Sequence, residues 1–225
     1  MNIYTTDKIR NVVLLGHGGS GKTSLAEAFA YLSGITSRMG KVDDGNTLSD
    51  YSKEEQKRHF SISTSVIPIE WEGYKINIID TPGYFDFVGE VEEAVSAAGA
   101  AIIVVNGKSG IEVGTQKAWE LCEKYKLPRF IYISKMDEDN GDFNGAWQTL
   151  REKFGRSVCP VLMPMWDEEK HIETLLDIVY RRAYQLEGKR RKEVPIPEDK
   201  KDVVEELYEQ LCESVAETSE EFMDK

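Results

Sequence analysis

Cysteine and long apolar runs are scarce in this sequence. Its 225 residues include three cysteines, Cys122, Cys159 and Cys212, which are widely spaced and fit no metal-ligand pattern. Neither a disulfide framework nor a zinc site is expected, and this usage indicates a reducing, cytoplasmic compartment. No apolar stretch approaches the ~20 residues that span a membrane, and the N-terminus lacks the apolar core of a signal peptide. A membrane is therefore not an expected partner.

Basic residues are outnumbered by acidic ones. There are 28 Lys and Arg against 40 Asp and Glu, a formal net charge of −12, and residues 193–225 alone carry twelve acids and three bases. Binding to DNA through bulk charge requires an excess of Lys and Arg, so it is not expected here. The one basic cluster, residues 189–192, could contact phosphates, although a solvated turn is the simpler interpretation.

The apolar content of 40% is sufficient for a buried core. Over residues 1–157, apolar runs typical of strands alternate with helical patterns, which predicts a doubly wound α/β domain with a mostly parallel sheet. The runs 62–71 and 75–79 predict one antiparallel hairpin, and Pro68 places the first of them at an edge of the sheet. The polar stretch 35–60 has no clean period and is expected to be mobile.

Residues 158–225 predict a second, smaller α+β unit. A strand is expected over 158–163, a helix near 172–186 and an acidic amphipathic helix near 201–222. The last helix places apolar residues at helical spacing, which predicts a stripe facing a core and a solvated face rich in glutamate. The stripe consists of Val204, Leu207, Leu211, Val215 and Phe222.

The most informative motif occupies residues 16–23. Its sequence, Gly-His-Gly-Gly-Ser-Gly-Lys-Thr, matches the phosphate-binding pattern G-x-x-x-x-G-K-[ST] between an apolar strand and a helix-forming run. The backbone N–H groups of such a loop cradle the phosphates of a nucleotide at a helix N-terminus. Lys22 is expected to reach the β- and γ-phosphates, and the Thr23 hydroxyl is expected to ligate Mg²⁺. A glycine-rich turn without a ligand is the alternative, and the strand-loop-helix context argues against it.

Two later motifs indicate which nucleotide is bound. Asp80-Thr-Pro-Gly83 ends an apolar strand, where Asp80 can hold a Mg²⁺-bound water and Gly83 can offer its N–H to a γ-phosphate. Ser134-Lys-Met-Asp137 closes another strand. The Asp137 carboxylate can accept hydrogen bonds from the N1–H and N2–H₂ groups of guanine, which adenine lacks, and Lys135 can cover the base.

The segments around these motifs resemble those of the translational GTPases, most closely elongation factor G and its elongation-factor-G-like paralogues. The matching runs are Asp50-Tyr-x-x-x-Glu-x-x-Arg58, residues 80–90, residues 110–116 (Gly-Ile-Glu-Val-Gly-Thr-Gln) and residues 135–137. The resemblance covers nearly the whole chain. It is highly specific through residue 137 and weaker afterwards, where the chain looks like part of the family's insert domain.

This resemblance implies a P-loop GTPase domain over residues 1–157 and a partial insert domain over 158–225, truncated before the final guanine-contacting segment. It implies a ribosome-stimulated GTPase of protein biosynthesis in the cytoplasm, with GTP or GDP and Mg²⁺ as ligands. The ribosome would be the partner of the full-length protein, and the fragment is expected to be monomeric. The 35–60 segment would be the first switch, and Asp80 to about Glu90 would be the second.

The resemblance also assigns roles to individual residues. The predicted nucleotide contacts are Gly16, His17, Gly18, Gly19, Ser20, Gly21, Lys22, Thr23, Ser24, Asp80, Thr81, Pro82, Gly83, Tyr84, Ser134, Lys135, Met136 and Asp137. The predicted Mg²⁺ ligands are Thr23, Ser61 and, through water, Asp80, and the predicted catalytic residues are Lys22, Gly83 and Tyr84.

Three residues depart from the family pattern. Tyr84 replaces the histidine that places the attacking water, which predicts slow hydrolysis because a phenol does not readily take a charged form near the phosphates. Ser134 replaces an asparagine whose amide bonds guanine and braces the phosphate loop, so weaker binding is expected. Gly19 replaces an aspartate that helps to hold a monovalent cation. The chain also ends at Lys225 before the later domains, which is expected of a fragment.

Several functions share these features. A ribosome-protection factor that releases a bound drug would use the same chemistry, and a nucleotide-gated ribosome-binding module with little turnover would be consistent with Tyr84. An ATP-dependent phosphotransferase would share the phosphate loop only, and Asp137 argues against it. The sequence does not distinguish translocation from recycling, stress or resistance roles.

Overall fold

The structure is a computed structural model that describes residues 2–138, 141–167, 171–188 and 190–218. The chain forms two compact units, Met1–Ser134 and Lys135–Lys225. The domain boundary placed at residue 157 from the sequence stays a prediction. No helix in the described ranges is both long and apolar enough to cross a membrane.

The first unit is built on a five-stranded sheet with the order β2-β3-β1-β4-β5. The central strand β1 pairs in parallel with β3 and β4, β4 pairs in parallel with β5, and β2 runs antiparallel to β3. This confirms the predicted α/β fold with a mostly parallel sheet and one antiparallel edge hairpin. The strands are β1 Ile9–Gly16, β2 Ser65–Trp71, β3 Tyr74–Asp80, β4 Ala100–Asn106 and β5 Arg129–Ser134.

Four α-helices lie in the described part of this unit. They are α1 Lys22–Leu32, α2 Lys53–Arg58, α3 Val88–Ala97 and α4 Val113–Tyr125. A core forms where α1 packs on the sheet, because α1 and the strands both present apolar residues to the same layer. Its buried members are Leu14, Leu25, Ala26, Ala30, Ile67, Ile69, Ile78 and Val104.

The edge hairpin begins at Ser65 rather than at residue 62. Trp71 pairs with Tyr74 across a two-residue turn, where Glu72 and Gly73 have φ values of 46° and 83°. Positive φ at both turn residues is the geometry that matches the twist of a tight hairpin. Pro68 lies in the edge strand, as the sequence predicts.

The stretch expected to be mobile contains helix α2. Ser52 begins it with a capping box, in which its Oγ accepts from the Glu55 backbone N–H at 3.2 Å and Glu55 Oε2 accepts from the Ser52 backbone N–H at 3.1 Å. These reciprocal bonds satisfy two backbone donors and explain why so short a helix forms here. The mobility of the stretch stays a prediction.

The strand register aligns the ends that carry the motifs. Leu14 pairs with Asp80, Gly16 with Val104, and Asn106 with Ser134. Since β1, β3, β4 and β5 are parallel, their carboxyl ends lie at one edge of the sheet, where ligands bind in open α/β folds.

In its described residues, the second unit combines an antiparallel sheet with two α-helices. Its sheet has the order β6-β7-β8-β9, and its core joins Leu176, Ile178 and Ala183 to Val204 and Leu207 of the last helix. This confirms the α+β character of the smaller unit. The elements are α5 Phe143–Phe154, β6 Leu162–Trp166, β7 Ile172–Asp177, β8 Arg182–Glu187, β9 Arg190–Val194 and α6 Lys201–Ala216.

Three predictions in this unit are wrong or shifted. The helix expected near 172–186 is the pair β7 and β8, joined by a turn in which Arg181 has φ 52°. The strand expected over 158–163 lies at Leu162–Trp166, and the basic cluster forms strand β9 from Arg190 instead of a turn. Lys189 of that cluster and Phe222 of the apolar stripe lie outside the described residues.

Candidate nucleotide-binding site

The phosphate loop joins β1 to α1 at the carboxyl edge of the sheet. Gly21 caps α1 without a side-chain hydrogen bond, and the first turn of α1 contains no acidic residue. The first backbone N–H groups of a helix have no partners within it, and the helix dipole places partial positive charge there. The first turn supplies no carboxylate to this helix end, so the end is suited to an external anion.

Lys22 lies folded against its own loop and is 6% exposed. Its Nζ donates to the carbonyl oxygens of Gly16 at 3.1 Å and His17 at 2.9 Å. Burial lowers the pKa of Lys22 to about 8, and the negative charges of Asp80 and Glu112 offset part of that effect. A phosphate beside Nζ would favour the charged form further, because an opposite charge raises the pKa of an ammonium group.

Thr23, Ser61 and Asp80 form a buried polar cluster next to the loop. Thr23 Oγ1 donates to Asp80 Oδ2 at 2.8 Å and lies 3.1 Å from Ser61 Oγ. Asp80 is 1% exposed, and its Oδ1 has no hydrogen-bond partner among the described residues. Burial raises the pKa of Asp80 to about 6, an effect that the Thr23 hydroxyl, the charge of Lys22 and the nearby Ser49 hydroxyl reduce. Two hydroxyls and an incompletely bonded carboxylate are the hard oxygen donors that suit Mg²⁺.

Asp50 is a residue of this cluster to which the sequence assigned no role. Its side chain is buried, and burial raises its pKa, while the Ser61 hydroxyl partly offsets this effect. The negative charge of Asp50 also contributes to the raised pKa of Asp80. The only sequence signal was its place at the start of the run that ends at Arg58, because a lone acid in a polar stretch is normally solvated.

Gly83 lies directly against the phosphate loop. A Cβ at this position would be 2.5 Å from Lys22 Nζ and 2.7 Å from Gly18 Cα, so no larger residue fits without displacing the backbone. Thr81, earlier in the same segment, donates from Oγ1 to the Leu14 carbonyl oxygen at 2.6 Å and ties the segment to β1. The structure thus brings this segment to the phosphate loop, as the two motifs predict.

Tyr84 packs on the same loop. A Cβ on Gly18 would be 3.3 Å from the Tyr84 ring, and the ring centroids of Tyr84 and Phe60 are 4.7 Å apart at an interplanar angle of 57°. Such a tilted pair is a favourable aromatic arrangement. Tyr84 remains 47% exposed, so its position beside the loop is accessible from outside.

His17 meets a partner that the sequence did not indicate. Its Nε2 lies 3.7 Å from Oε1 of Glu112, the residue that precedes α4. Within the described ranges, the buried His17 Nδ1 atom has no hydrogen-bond partner. The side chain therefore links the loop to the start of α4, in addition to the backbone N–H that the motif contributes.

Ser134 still braces the phosphate loop. Its hydroxyl lies 2.6 Å from the Ser20 carbonyl oxygen and 3.2 Å from the Val105 carbonyl oxygen, to either of which it can donate. The expectation that serine loses this support is therefore wrong, because the hydroxyl reaches the loop backbone directly. The other expected effect, loss of an amide contact to guanine, stays a prediction.

Lys135, Met136 and Asp137 follow β5 and begin the second compact unit. Lys135 has φ 57°, and its Nζ lies 3.5 Å from Glu138 Oε1. Met136 is buried and Asp137 is exposed. Their part in guanine binding stays a prediction.

Comparisons with known proteins identify the family. The family described as "Elongation factor Tu GTP binding domain" matches residues 7–221. A crystal structure of a protein from Thermus thermophilus is similar with a TM-score of 0.90 and 34% sequence identity, covering 97% of this chain and 33% of that chain. This chain thus spans about a third of that protein's length. It belongs to the family of the elongation factor Tu GTP-binding domain, which is the GTPase family of the translation factors.

Proposed function

We propose that this chain binds GTP and GDP with Mg²⁺, and that it hydrolyses GTP as the GTP-binding part of an elongation-factor-G-like translation factor acting on the ribosome. The observation that carries the proposal is the buried cluster of Thr23, Ser61 and Asp80 beside an uncapped helix N-terminus. Structural cores seldom leave a buried carboxylate oxygen without a partner, whereas a metal site needs one.

Mg²⁺ would be held by the hydroxyls of Thr23 and Ser61 and, through water, by Asp80. When bound, the ion would neutralise charge on the β- and γ-phosphates. Asp50, next to Ser61, is suited to accept a hydrogen bond from a second metal-bound water. These residues come from α1, from the segment before β2 and from the end of β3.

For hydrolysis, Lys22 would place its ammonium against the β- and γ-phosphates, where negative charge develops in the transition state. Gly83, in contact with Lys22 and Gly18, would offer its backbone N–H to the γ-phosphate. Tyr84 would lie beside the attacking water and could donate one hydrogen bond, but a neutral phenol would give little electrostatic help.

For base recognition, Asp137 would accept from guanine N1–H and N2–H₂, and the Lys135 stem would cover the ring. Ser134 would support the phosphate loop through its hydrogen bond to the Ser20 carbonyl oxygen. The ribosome as activating partner and the cytoplasm as location follow from the family and belong to this proposal.

A second candidate is a nucleotide-gated ribosome-binding module with little turnover. It is favoured by the packing of Tyr84 between Gly18 and Phe60, which gives the side chain a role in holding the loop without any catalysis. A ribosome-protection factor shares the same site and differs in its later domains.

The proposal is tested by the thermal midpoint of the chain with Mg²⁺ and GDP, with Mg²⁺ and ADP, and without nucleotide. At a ligand concentration of 100 Kd, binding to the folded state adds about 2.7 kcal/mol of stability, so the midpoint should rise with GDP and not with ADP. A rise with both would contradict base selection by Asp137, and no rise would contradict nucleotide binding. Ribosome-stimulated phosphate release by the full-length protein separates the GTPase from the low-turnover module.

A further inference from the structure

Helix α1 carries a buried carboxylate that the nucleotide site does not use. Glu27 is 1% exposed, and its two oxygens accept from two backbone N–H groups of the segment ahead of Ser61. Oε2 accepts from Gly40 at 2.9 Å, and Oε1 accepts from Leu48 at 2.5 Å. Hydrogen bonds to an ionised group are stronger than neutral ones, and a buried carboxylate left without them would be strongly destabilised.

Gly40 is fitted closely to this carboxylate. A Cβ on Gly40 would come within 2.6 Å of Glu27 Oε2 and 2.8 Å of the Asn46 carbonyl oxygen. The close approach therefore requires glycine. The side chains of Arg38 and Lys41, on either side of Gly40, are exposed to solvent.

Residues 40–48, which we term the clamped loop, are closed on themselves. Lys41 N–H donates to Asn46 Oδ1 at 2.8 Å, and Gly45 N–H donates to the Val42 carbonyl oxygen at 2.9 Å. Glu27 bonds the first and the last residue of the loop. The two bonds thus hold both ends of one compact piece of chain. Its middle is held separately, because His59 Nδ1 lies 3.1 Å from the Val42 carbonyl oxygen, so loss of the Glu27 bonds would free the ends of the loop.

The clamped loop leads directly into the polar cluster. Leu48 is followed by Ser49, whose carbonyl oxygen accepts from Ser65 Oγ at 2.8 Å, and by buried Asp50, whose N–H donates to Thr47 Oγ1 at 3.2 Å. Asp50 in turn interacts with the Ser61 hydroxyl. The anchor at Leu48 therefore lies two residues from the side chain that meets Ser61.

We propose that Glu27 is a positioning residue that holds the clamped loop on α1 and so places Asp50 against Ser61. The clamp itself stands on the hydrogen bonds above, whereas its effect on Mg²⁺ rests on the proposed function. Glu27 touches neither the phosphates nor the metal in this assignment, because both of its oxygens are engaged by the loop.

The first test is limited trypsin digestion of the chain, with cleavage after Arg38 and Lys41 followed by mass spectrometry. Glu27→Ala removes both acceptors, and Glu27→Gln retains one oxygen but turns an amide NH₂ towards the other N–H. The matched control is Glu120→Gln, which makes the same charge change at an exposed position of α4. Local opening of the loop exposes the peptide bonds after Arg38 and Lys41 to trypsin. We therefore expect about tenfold faster cleavage in Glu27→Ala, an intermediate rate in Glu27→Gln and no change in the control.

Circular dichroism of each variant shows whether it is folded, and Glu27→Gln, which conserves shape, decides the matter if Glu27→Ala does not fold. A folded Glu27 variant that is cleaved at the rate of the control would overturn the clamp. This arm uses no nucleotide, so it stands even if the chain fails to bind GDP.

The second test measures the Mg²⁺ concentration that half-saturates the GDP-dependent rise in thermal midpoint. A positioning role predicts that Glu27→Gln needs several times more Mg²⁺ than the wild type and the Glu120→Gln control. A merely structural carboxylate would lower the midpoint and leave the Mg²⁺ requirement unchanged, and that result would overturn the positioning role. If the wild-type midpoint does not respond to GDP, the proposed function fails, and the digestion alone decides the clamp.

Discussion

Replacing Asp80 by asparagine should stabilise the chain in the absence of Mg²⁺ and nucleotide. Burial raises the pKa of this carboxyl from 3.8 to about 6. At about 1.36 kcal/mol per pKa unit, the ionised carboxylate costs the folded chain about 3 kcal/mol above pH 6. Asparagine carries no charge, and its amide oxygen can still accept from Thr23. The raised pKa already includes the attraction of the Lys22 ammonium, so the gain has an upper limit of about 3 kcal/mol.

The pH dependence gives the sign of this effect. Between pH 4 and 6 the folded chain binds a proton at Asp80 that the unfolded chain has released, so stability falls as the pH rises through this window. Above about pH 6, Asp80 is ionised in the folded chain and the loss of stability reaches its full value. The advantage of Asp80→Asn over the wild type should therefore be largest near pH 7.5 and should shrink as the pH is lowered towards 4.

The assay is urea unfolding in EDTA over a pH series from 7.5 to 4.5, comparing midpoints at equal slope. Groups remote from Asp80 titrate equally in both proteins and cancel in the difference, whereas Lys22 loses the negative charge that raises its pKa. The same variant should lose the Mg²⁺-dependent stabilisation by GDP, a trade between stability and function that is common at active sites. If Asp80→Asn is no more stable at pH 7.5, or its advantage does not vary with pH, the ionised Asp80 carboxylate does not destabilise the folded chain.

Three further substitutions test the site. Tyr84→His in the full-length protein should raise the single-turnover GTPase rate on ribosomes, because an imidazole can carry charge near the phosphates; an unchanged or lower rate would refute this. Ser134→Asn should tighten GDP binding by about 1–2 kcal/mol through a regained amide contact, measured by calorimetry, and binding no tighter than wild type would contradict it. Gly83→Ala should slow GTP hydrolysis about tenfold or more, because its Cβ would meet Lys22 Nζ at 2.5 Å; a wild-type rate in a single-turnover assay would show that Gly83 is not in contact with the reacting phosphate.

Much of the first unit is predictable because its signals are local. Three local signals follow one another within 24 residues: the apolar run of β1, the motif of the phosphate loop and the helical pattern of α1. The order of these signals predicts a strand, a phosphate-binding loop and a helix. Pro68 marks an edge strand by its chemistry alone. These features depend on no distant contact, which is why the strand, loop and helix around residues 16–23 and the edge hairpin, apart from its first residues, are placed correctly.

The second unit is harder to predict from the sequence, because its apolar residues fit both the periodicity of a helix and that of a strand. Ile172, Leu175, Leu176, Val179 and Leu186 fit a helical stripe, yet the segment forms β7 and β8. Strand pairing with β6 and β9 and packing of Leu176 and Ala183 under α6 decide the outcome. Contacts of this kind are remote in sequence and override local pattern.

The burial of three acidic residues near the site could not be predicted from the sequence for a similar reason. Glu27, Asp50 and Glu55 lie in polar or amphipathic stretches, where a carboxylate normally faces solvent. All three are buried, and Glu55 accepts from the Ile62 and Ser63 N–H groups as well as capping α2. Only the folded chain brings backbone donors to Glu27 and Glu55 and the hydroxyls of Ser61 and Thr47 to Asp50.

The proline in β2 has a consequence for how copies of this chain behave together. Strand β2 pairs on one side only, with β3, among the described strands, and its other side is a sheet edge that could template a strand from another molecule. Pro68 opposes Asn77 and has no N–H to donate, so the row of edge donors is interrupted at its middle. A substitution such as Pro68→Val would complete that row between exposed Val66 and Glu70. We therefore expect Pro68→Val to increase edge-to-edge aggregation at high concentration, measured by light scattering.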